Sequence, residues 1–218
     1  MSKWSEGRRR TWVPADADMS MAVARPDALA GPAPLERALL DECRQGDPQA
    51  FARLVALHER LVFNLAARLL GDLEEARDVS QEVFLQVFRT LGRFQGRSTF
   101  KTWIYRIAVN QCHNRRRWWR RRRRDQLVSL DILGPADEAR LCTGRGPEQD
   151  YESAERSRDV QRALQALPFA QRTVLLLREV EGLTCEQVAQ AVGVPVGTVK
   201  SRLSRARETL RRELERAS

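Results

Sequence analysis

The amino-acid sequence predicts an all-α protein built from two small helical domains that a flexible linker joins. Apolar residues recur at steps of three and four over several long stretches, and no segment shows the alternating pattern of a strand. The periodicity is lost over residues 118–152, which contain several Gly and Pro residues and are long for a structureless loop inside one domain. We therefore expect domains over residues 35–117 and 153–218, with an N-terminal extension over residues 1–34.

The first domain is expected to contain three long helices. The extension before it is rich in Pro, Ala and Asp and lacks periodicity, which is typical of disorder. The first long helix ends at Gly71, because glycine readily adopts the left-handed backbone that closes a helix. The second begins near Asp72, and the third begins near Ser98 after a turn between Gly92 and Gly96. The apolar residues of the second helix that follow helical spacing are Ala76, Val79, Val83, Phe84, Val87, Phe88 and Leu91.

The second domain is expected to end in a helix-turn-helix. Before it the pattern predicts a helix stopped by Pro168 and a hydrophobic helix from about Ala170 to Val180. The first helix of the motif opens with a capping box, in which Thr184 is followed three residues later by Gln187. The break Gly193-Val194-Pro195 separates this helix from the one that closes the chain.

The closing helix has one apolar face and one polar, basic face. The apolar residues follow one another at helical spacing: Val196, Val199, Leu203, Ala206 and Leu210. The opposite face carries side chains that can reach base edges and phosphates in a major groove: Thr198, Lys200, Ser201, Arg202, Ser204, Arg205 and Arg207. A solvated helix of a bundle also shows a basic face. The capped first helix, the glycine turn and the unbroken basic face together favour DNA binding.

Charge is distributed unevenly along the chain. The net charge is +9, and arginine supplies 35 of the 38 basic residues. Because arginine binds phosphate and guanine in a bidentate manner, the expected partner is an anionic polymer or surface. Residues 36–91 carry a net charge of −3, residues 97–124 hold eleven basic groups and no acidic one, residues 125–183 carry −4 and residues 184–218 carry +3. The pattern predicts two nucleic-acid surfaces that acidic stretches separate.

Metal, disulfide and membrane sites are not expected. The Cys112-His113 pair supplies only two metal ligands. The longest aliphatic run, Val174 to Leu177, is far shorter than a membrane span, and no apolar segment follows the basic N-terminus as in a signal peptide. We expect a reduced, cytoplasmic protein with no cofactor and no small-molecule substrate. There is no CxxC spacing among the four cysteines: Cys43, Cys112, Cys142 and Cys185.

The third helix of the first domain combines aromatic residues with an arginine cluster, in the segment FKTWIYRIAVNQCHNRRRWWRRRRR. This composition suits single-stranded nucleic acid, because bases stack on rings while arginine follows the backbone. Phe100 and Trp103 lie one turn apart and fit an ordinary core equally well. Trp118 and Trp119 are expected to be exposed. The run from Arg115 to Arg124 holds eight arginines in ten residues, and a flexible tail or an import-like patch is the alternative interpretation.

Two long segments, in this order, resemble the extracytoplasmic-function (ECF, group 4) sigma factors of bacterial RNA polymerase. They are ARDVSQEVFLQVFRTLGRFQGRSTFKTWIYRIAVN and LPFAQRTVLLLREVEGLTCEQVAQAVGVPVGTVKSRLSRARETLR. The resemblance covers about residues 36–117 and 150–215, and implies that the first domain is sigma region 2 and the second is region 4, without a region 3. It also implies a non-enzymatic subunit that binds core polymerase, reads minus-35 and minus-10 elements and melts promoter DNA.

The resemblance assigns roles to residues of the first domain. The DVSQEVF segment looks like the region 2 surface that docks on the clamp helices of the largest polymerase subunit, which implies Asp78, Gln81, Glu82 and Phe84. Asn110 looks like the reader of a flipped-out minus-10 base, since an amide offers a donor and an acceptor to a base edge. The minus-10 set implied is Trp103, Arg106, Asn110, Asn114, Arg115, Arg116 and Arg117.

The resemblance also implies that the closing helix reads the minus-35 element. Lys200, Ser201, Ser204 and Arg205 fall where the family contacts bases, while Arg202 and Arg207 are expected to bind phosphates or acidic neighbours. The implied partners are the clamp helices and the flap of the second-largest subunit of core polymerase, promoter DNA and an anti-sigma factor. The extension over residues 1–34 and the junction at 118–124 go beyond the family pattern.

Two other functions account for less of the sequence. A conventional helix-turn-helix repressor or activator would dimerise on a palindromic operator, and it leaves the DVSQEVF surface and residues 103–110 without a role. A recombinase or nuclease needs a clustered nucleophile or metal-binding carboxylates. The arginine-rich helix has neither.

Overall fold

The computed structural model of the protein describes residues 34–125 and 159–217, and all regular structure within these ranges is helical. The all-α prediction is confirmed. Residues 1–33 of the predicted extension and residues 126–152 of the predicted linker lie outside the described residues. A 3₁₀ turn over Leu91–Arg93 follows the third helix, and a π-helical turn over Leu176–Val180 continues the sixth. The helices are α1 (Pro34–Arg44), α2 (Pro48–Leu70), α3 (Leu73–Thr90), α4 (Phe100–Asp125), α5 (159–166), α6 (Phe169–Leu175), α7 (Cys185–Val192) and α8 (Val196–Ala217).

Helices α2 and α3 meet at the boundary that the sequence predicts. Gly71 closes α2 with a φ of 75°, and its N–H donates to the carbonyl of Ala67 at 2.8 Å. Asp72 then caps α3, because its carboxylate accepts from the N–H of Glu75 at 3.0 Å. The two caps satisfy backbone groups that helix ends leave unpaired. They also make the connection short, so α2 and α3 pack side by side.

The core of the first domain lies between α2, α3 and α4, while α1 covers α2. Leu65, Val83 and Ile104, one from each of the three helices, are almost completely buried. Glu36 and His58 join α1 to α2, with 2.9 Å between the Glu36 Oε1 and His58 Nε2 atoms. Burial of these apolar faces fixes the orientation of α4, the helix that carries the aromatic and arginine residues.

Helix α4 is longer than predicted. It runs through Asp125, whereas the loss of apolar periodicity placed the linker from residue 118 onwards. The sequence has no Gly or Pro in this helix, and arginine is among the better helix formers. The guanidinium carbon of Arg122 lies 4.9 Å from the ring centroid of Trp118, one turn earlier, and adds a cation–π contact. Residues 118–125 therefore continue the last helix of the first domain.

The predicted helix-turn-helix is confirmed as α7 and α8. The hydrophobic helix predicted from about Ala170 to Val180 is observed as α6 with its π-helical turn. The residues of α7 and α8 that form the apolar core between them are Val188, Ala191, Val192, Val199, Leu203 and Ala206.

The two predicted domains are in contact in this structure. Arg172 on α6 is 4% exposed and donates to the carbonyl of Leu69, near the end of α2, at 2.6 Å. Gln165 on α5 donates to the neighbouring carbonyl of Arg68 at 3.0 Å. The last carbonyls of a helix carry partial negative charge and lack partners within the helix, so they suit a buried guanidinium. Helix α7 packs against α4.

Candidate nucleic-acid interface

The helix-turn-helix is held by local hydrogen bonds at both ends of α7. The Gln187 N–H donates to the Thr184 hydroxyl at 3.2 Å, and the Thr184 N–H donates to the Gln187 side-chain oxygen at 2.8 Å. Gly193 ends α7 with a φ of 67°, and its N–H donates to the carbonyl of Ala189 at 2.8 Å. This geometry is the capping box and glycine turn that the sequence predicts, and it fixes the direction in which α8 leaves α7.

The basic face of α8 is open to solvent over most of its length. Lys200, Ser204 and Arg205 are exposed, as base-contacting residues must be. The Ser201 hydroxyl donates to the carbonyl of Thr198 at 3.0 Å, which leaves its oxygen as an acceptor. The structure therefore brings five of the predicted residues together on one accessible stretch of α8: Thr198, Lys200, Ser201, Ser204 and Arg205.

The other two arginines of this face differ in their surroundings. The Nε atom of Arg207 donates to the carboxylate of Glu179, in the π-helical turn, at 3.2 Å. Arg202 is half-buried and lines a cleft between α8 and α4. An acidic neighbour for Arg207 is one of the two roles that the sequence suggested. The pair between Arg207 and Glu179 joins α8 to the π-helical turn in this conformation.

Five of the seven predicted minus-10 residues lie on one face of α4. Trp103, Arg106, Asn110, Asn114 and Arg117 follow one another at steps of three or four, which places them along one side of a helix. Asn110 is half-buried and Asn114 is exposed. An amide flanked by guanidinium groups on a fixed helix can pair with a base edge while the arginines bind phosphates.

Trp103 belongs to an aromatic cluster at the start of α4. Its ring centroid lies 5.1 Å from that of Phe94 and 5.6 Å from that of Phe100, and the ring is half-buried. Phe100 is 1% exposed and belongs to the core. The sequence left both roles open for Trp103. The structure gives it a packed position with part of its surface accessible.

The other two predicted residues, Arg115 and Arg116, lie off this face and contact protein groups. Arg115 bridges to α3, with its guanidinium 2.8 Å from the carboxylate of Glu75 and 2.7 Å from that of Glu82. Arg116 lies over the ring of Phe169 on α6, 5.1 Å from its centroid. Burial, with a smaller contribution from Arg120, lowers the pKa of Arg116. Helix periodicity explains the difference, because consecutive residues are about 100° apart around the axis.

The predicted acidic surface lies on α3. The Asp78 carboxylate lies 3.9 Å from the Arg115 guanidinium, which also pairs with Glu82. Gln81 is exposed and Phe84 is half-buried. Arg115 of α4 thus neutralises part of the negative charge on α3. The Asp78 side chain remains 62% exposed.

An apolar groove of about 790 Å³ runs between α2 and α3 beside this acidic surface. It includes the predicted residues Gln81 and Phe84 and extends to Leu85 and Phe88, which are 54% and 64% exposed. Phe88 shares the helical spacing of the buried residues Val79, Val83 and Val87, but its side chain remains exposed. The ring of Phe88 packs only edge-on against Phe51, at a centroid distance of 5.0 Å. A continuous exposed apolar surface of this kind is typical of an interaction site.

A second cleft, of about 310 Å³, lies between α4 and the second domain. Arginines from both domains line it, together with His113 and Phe169. Burial lowers the pKa of His113, and the nearby Arg117, Arg116 and Arg120 lower it further. The contact between the domains therefore brings like charges together.

The described residues give no geometric support for metal chemistry. Within 34–125 and 159–217, no three His, Cys, Asp or Glu side chains are placed to hold a metal ion. No helix in the described part of the chain is long and apolar enough to cross a membrane. Cys43, Cys112 and Cys185 are free thiols, and Cys142 lies outside the described residues.

Comparison with known families matches both halves of the chain. Residues 54–125 match sigma-70 region 2, and residues 157–210 match sigma-70 region 4. The first match includes the whole arginine run of α4, and the second includes α6, α7 and most of α8.

Curated relatives match over most of their length. The RNA polymerase sigma-H factor of Pseudomonas aeruginosa is 39% identical over 83% of this chain and 94% of its own. The ECF sigma factor SigW of Bacillus subtilis is 31% identical over 80% of this chain and 94% of its own. The ECF sigma-E factor of Escherichia coli K12 is 34% identical over 80% of this chain and 92% of its own.

Solved structures show the same architecture. CnrH in complex with the cytosolic domain of CnrY superposes with a TM-score of 0.58 at 25% identity, over 84% of this chain and 99% of that one. The sigma factor RpoE of Bartonella quintana, in complex with the anti-sigma factor NepR, shares the fold with a TM-score of 0.62 at 24% identity, over 76% of this chain and 96% of that one. The chain therefore belongs to the extracytoplasmic-function sigma factors of the sigma-70 family.

Proposed function

We propose that this sigma factor directs core RNA polymerase to promoters by reading two DNA elements, one with each of its basic helices. The observation that carries the proposal is the pair α4 and α8, which lie in the segments matched to sigma regions 2 and 4. Each presents an accessible face of basic and hydrogen-bonding side chains. We assign residues 35–125 to polymerase docking and the minus-10 element, and residues 153–218 to the minus-35 element.

At the minus-10 element, α4 captures an unpaired base. Asn110 pairs with the edge of the flipped base, and Asn114 contacts the next position along the helix. The half-buried ring of Trp103 stacks against the DNA where the helix begins, while Arg106 and Arg117 bind phosphates. Capture of the unpaired strand offsets the lost stacking and favours the melted state.

At the minus-35 element, α8 lies in the major groove. Lys200, Ser201, Ser204 and Arg205 contact base edges, and Thr198 binds the DNA backbone near the start of the helix. In the present conformation Arg207 pairs with Glu179, and Arg202 lines the cleft between α8 and α4. Because both side chains have rotatable bonds, both arginines reach phosphates when α8 binds DNA.

The polymerase docks on α3 and on the groove beside it. The acidic residues Asp78 and Glu82 attract basic side chains of the clamp helices, and the apolar surface from Phe84 to Phe88 supplies area to bury. This division explains why the docking surface is acidic while the DNA faces are basic. The flap of the second-largest polymerase subunit holds the second domain.

The protein acts in the cytoplasm and performs no chemical step of its own. Binding energy from the two helices melts DNA, and the polymerase catalyses RNA synthesis. An anti-sigma factor is the proposed regulator. The relative CnrH, which shares the fold at 25% identity, was solved with the cytosolic domain of CnrY, and this supports a similar partner here.

Run-off transcription with purified core polymerase on a promoter library tests the proposal. We expect transcripts only from templates that carry a particular pair of elements, and co-purification of the protein with core polymerase. A conventional repressor or activator would bind operator DNA without core polymerase and would not co-purify with it. Absence of both promoter-dependent transcripts and co-purification would refute the proposal.

A further inference from the structure

The last two turns of α4 have no role in the scheme above. They continue past Arg117 as a regular helix to Asp125, and Arg120, Arg121 and Arg122 are exposed. Trp118 is 44% exposed, which is unusual for so large an apolar side chain. The helix holds these side chains in fixed positions relative to the DNA-reading face.

Arg121 extends the minus-10 face of α4. Asn110, Asn114, Arg117 and Arg121 follow at steps of four, three and four, so all four lie along one side of the helix. Seven residues separate Asn114 from Arg121, a rise of about 10 Å along the axis. This distance corresponds to about three base pairs of DNA at 3.4 Å each. DNA that lies along the minus-10 face therefore meets Arg121 within a few base pairs.

The proposed function indicates which DNA this is. The second domain, which follows α4 in the sequence, reads the upstream element in that function. We therefore take the C-terminal end of α4 to face the DNA between the two elements. That DNA is still double-stranded, because melting begins at the minus-10 element.

Trp118 and Arg122 favour duplex phosphates over unpaired bases as the ligand. The Arg122 guanidinium carbon lies 4.9 Å from the centroid of the Trp118 ring, so it covers one face of the ring. A covered ring is a poor platform for a stacked base. The contact instead orients a guanidinium group at the helix surface, where its planar fork matches a phosphate.

We propose that Arg121 and Arg122, supported by Trp118, bind the phosphate backbone of the duplex between the two promoter elements. The contact reads no sequence and adds affinity for promoters in a salt-dependent manner. This inference rests on the proposed function, since it takes the orientation of the DNA from it.

The test compares wild-type and R121Q/R122Q holoenzymes on two DNA fragments. One fragment carries both elements with the intervening duplex, and the other ends at the upstream edge of the minus-10 element. Glutamine keeps the helix propensity and removes the charge. The measured quantity is the dissociation constant between 50 and 200 mM salt.

On the long fragment, we expect the variant to lose two phosphate contacts. The slope of log affinity against log salt concentration should therefore be shallower by about 1.8 for the variant than for wild type. Wild-type holoenzyme should then lose about 12-fold more affinity than the variant over this fourfold salt range. On the short fragment, the two proteins should have equal salt dependence.

The matched control is R212Q/R216Q in α8, which removes the same charge from exposed arginines near Glu208 and Glu213. It should behave as wild type. Any of three results would overturn the proposal. The first is an equal salt slope for wild type and R121Q/R122Q on the long fragment, and the second is a slope for R212Q/R216Q that is lowered as much as that of R121Q/R122Q. The third is a slope for R121Q/R122Q that is lowered as much on the short fragment as on the long one. A defect that appears only once a transcript has formed would assign the arginines to RNA and would also overturn it. Promoter-dependent transcription by the wild type shows separately whether the proposed function holds.

Discussion

Asn110 is the residue of α4 that we propose reads an unpaired base. It is half-buried, lies between Arg106 and Asn114 on one face, and carries both a donor and an acceptor. For N110A we expect open-complex formation to fall by about 1 to 3 kcal/mol, the value of a good base contact. Binding to duplex minus-35 DNA should persist, because α8 is unchanged. Permanganate reactivity of unpaired thymines and gel-shift assays measure the two steps.

The adjacent residue provides the control for this substitution. Gln111 lies about 100° further around the helix, away from the proposed reading face. Q111A should therefore melt promoters as well as wild type. If N110A weakens minus-35 binding as much as it weakens melting, Asn110 has a structural role rather than a reading role.

Cys112 shows the effect of burial on a reactive group. Its side chain is completely buried, and this burial raises the pKa of the thiol to about 12. Since the thiolate is the nucleophile, we expect no alkylation of Cys112 by iodoacetamide in the native protein at pH 8 and complete alkylation in urea. Peptide mass spectrometry measures both. Labelling of Cys112 in the native state at the rate of a free thiol would show that α4 separates from α3 in solution.

The sequence predicts single residues well where their role is local, and less well where it depends on packing. The capping role of Thr184 and the turn at Gly71 follow from chain neighbours alone, and the structure confirms both. Arg115 and Phe88 depend on which face of a helix meets another helix. Apolar spacing could not show that Phe88 would remain 64% exposed, or that Arg115 would bridge to Glu75 and Glu82.

At the scale of elements, α8 has exposed basic side chains whose contribution to specificity can be measured. K200A and R205A should each weaken recognition of the minus-35 element by about 1 to 3 kcal/mol. The loss should be larger on the native element than on a scrambled one, because a base contact depends on sequence. Competition binding of holoenzyme to both DNAs measures the difference.

R212A provides the matched control on the same helix. Arg212 is exposed and its Nε atom lies 3.7 Å from the carboxylate of Glu208, beyond the predicted reading residues. This variant should keep full discrimination between native and scrambled elements. Equal loss on both DNAs for K200A and R205A would restrict these side chains to phosphate contacts.

Helix ends could be predicted where a glycine or a capping residue marks them. The end of α4 could not be predicted, because its last residues are mostly arginines. The end of α2 follows from Gly71, whereas the C-terminal part of α4 has neither apolar spacing nor a stop signal. The apolar pattern reports burial, and residues 118–125 lie beyond the core. Helix propensity and the contact between Trp118 and Arg122 sustain α4 there.

At the scale of the whole molecule, the contact between the domains is the feature that no local pattern predicts. It joins basic surfaces, since Arg116 and Arg120 from α4 and Arg202 from α8 line one cleft. Hydrogen bonds offset this repulsion elsewhere in the contact. Arg172 donates to the carbonyl of Leu69 at 2.6 Å. In the proposed function the two helices read separate DNA elements, and we therefore expect this contact to open on the promoter.

A double-mutant cycle on Tyr105 and Glu181 tests whether the contact is present in solution. Tyr105 on α4 is fully buried, and its hydroxyl donates to the Glu181 carboxylate in the second domain. Burial, followed by the Glu181 hydrogen bond and charge, raises the pKa of Tyr105, so the hydroxyl remains a donor throughout the neutral range. From urea unfolding of Y105F, E181Q and the double variant, we expect a coupling energy of about 1 to 2 kcal/mol. Y105F combined with E208Q, two sites with no shared contact, should be additive within about 0.5 kcal/mol. Zero coupling between Tyr105 and Glu181 would mean that the domains are separate before the polymerase binds.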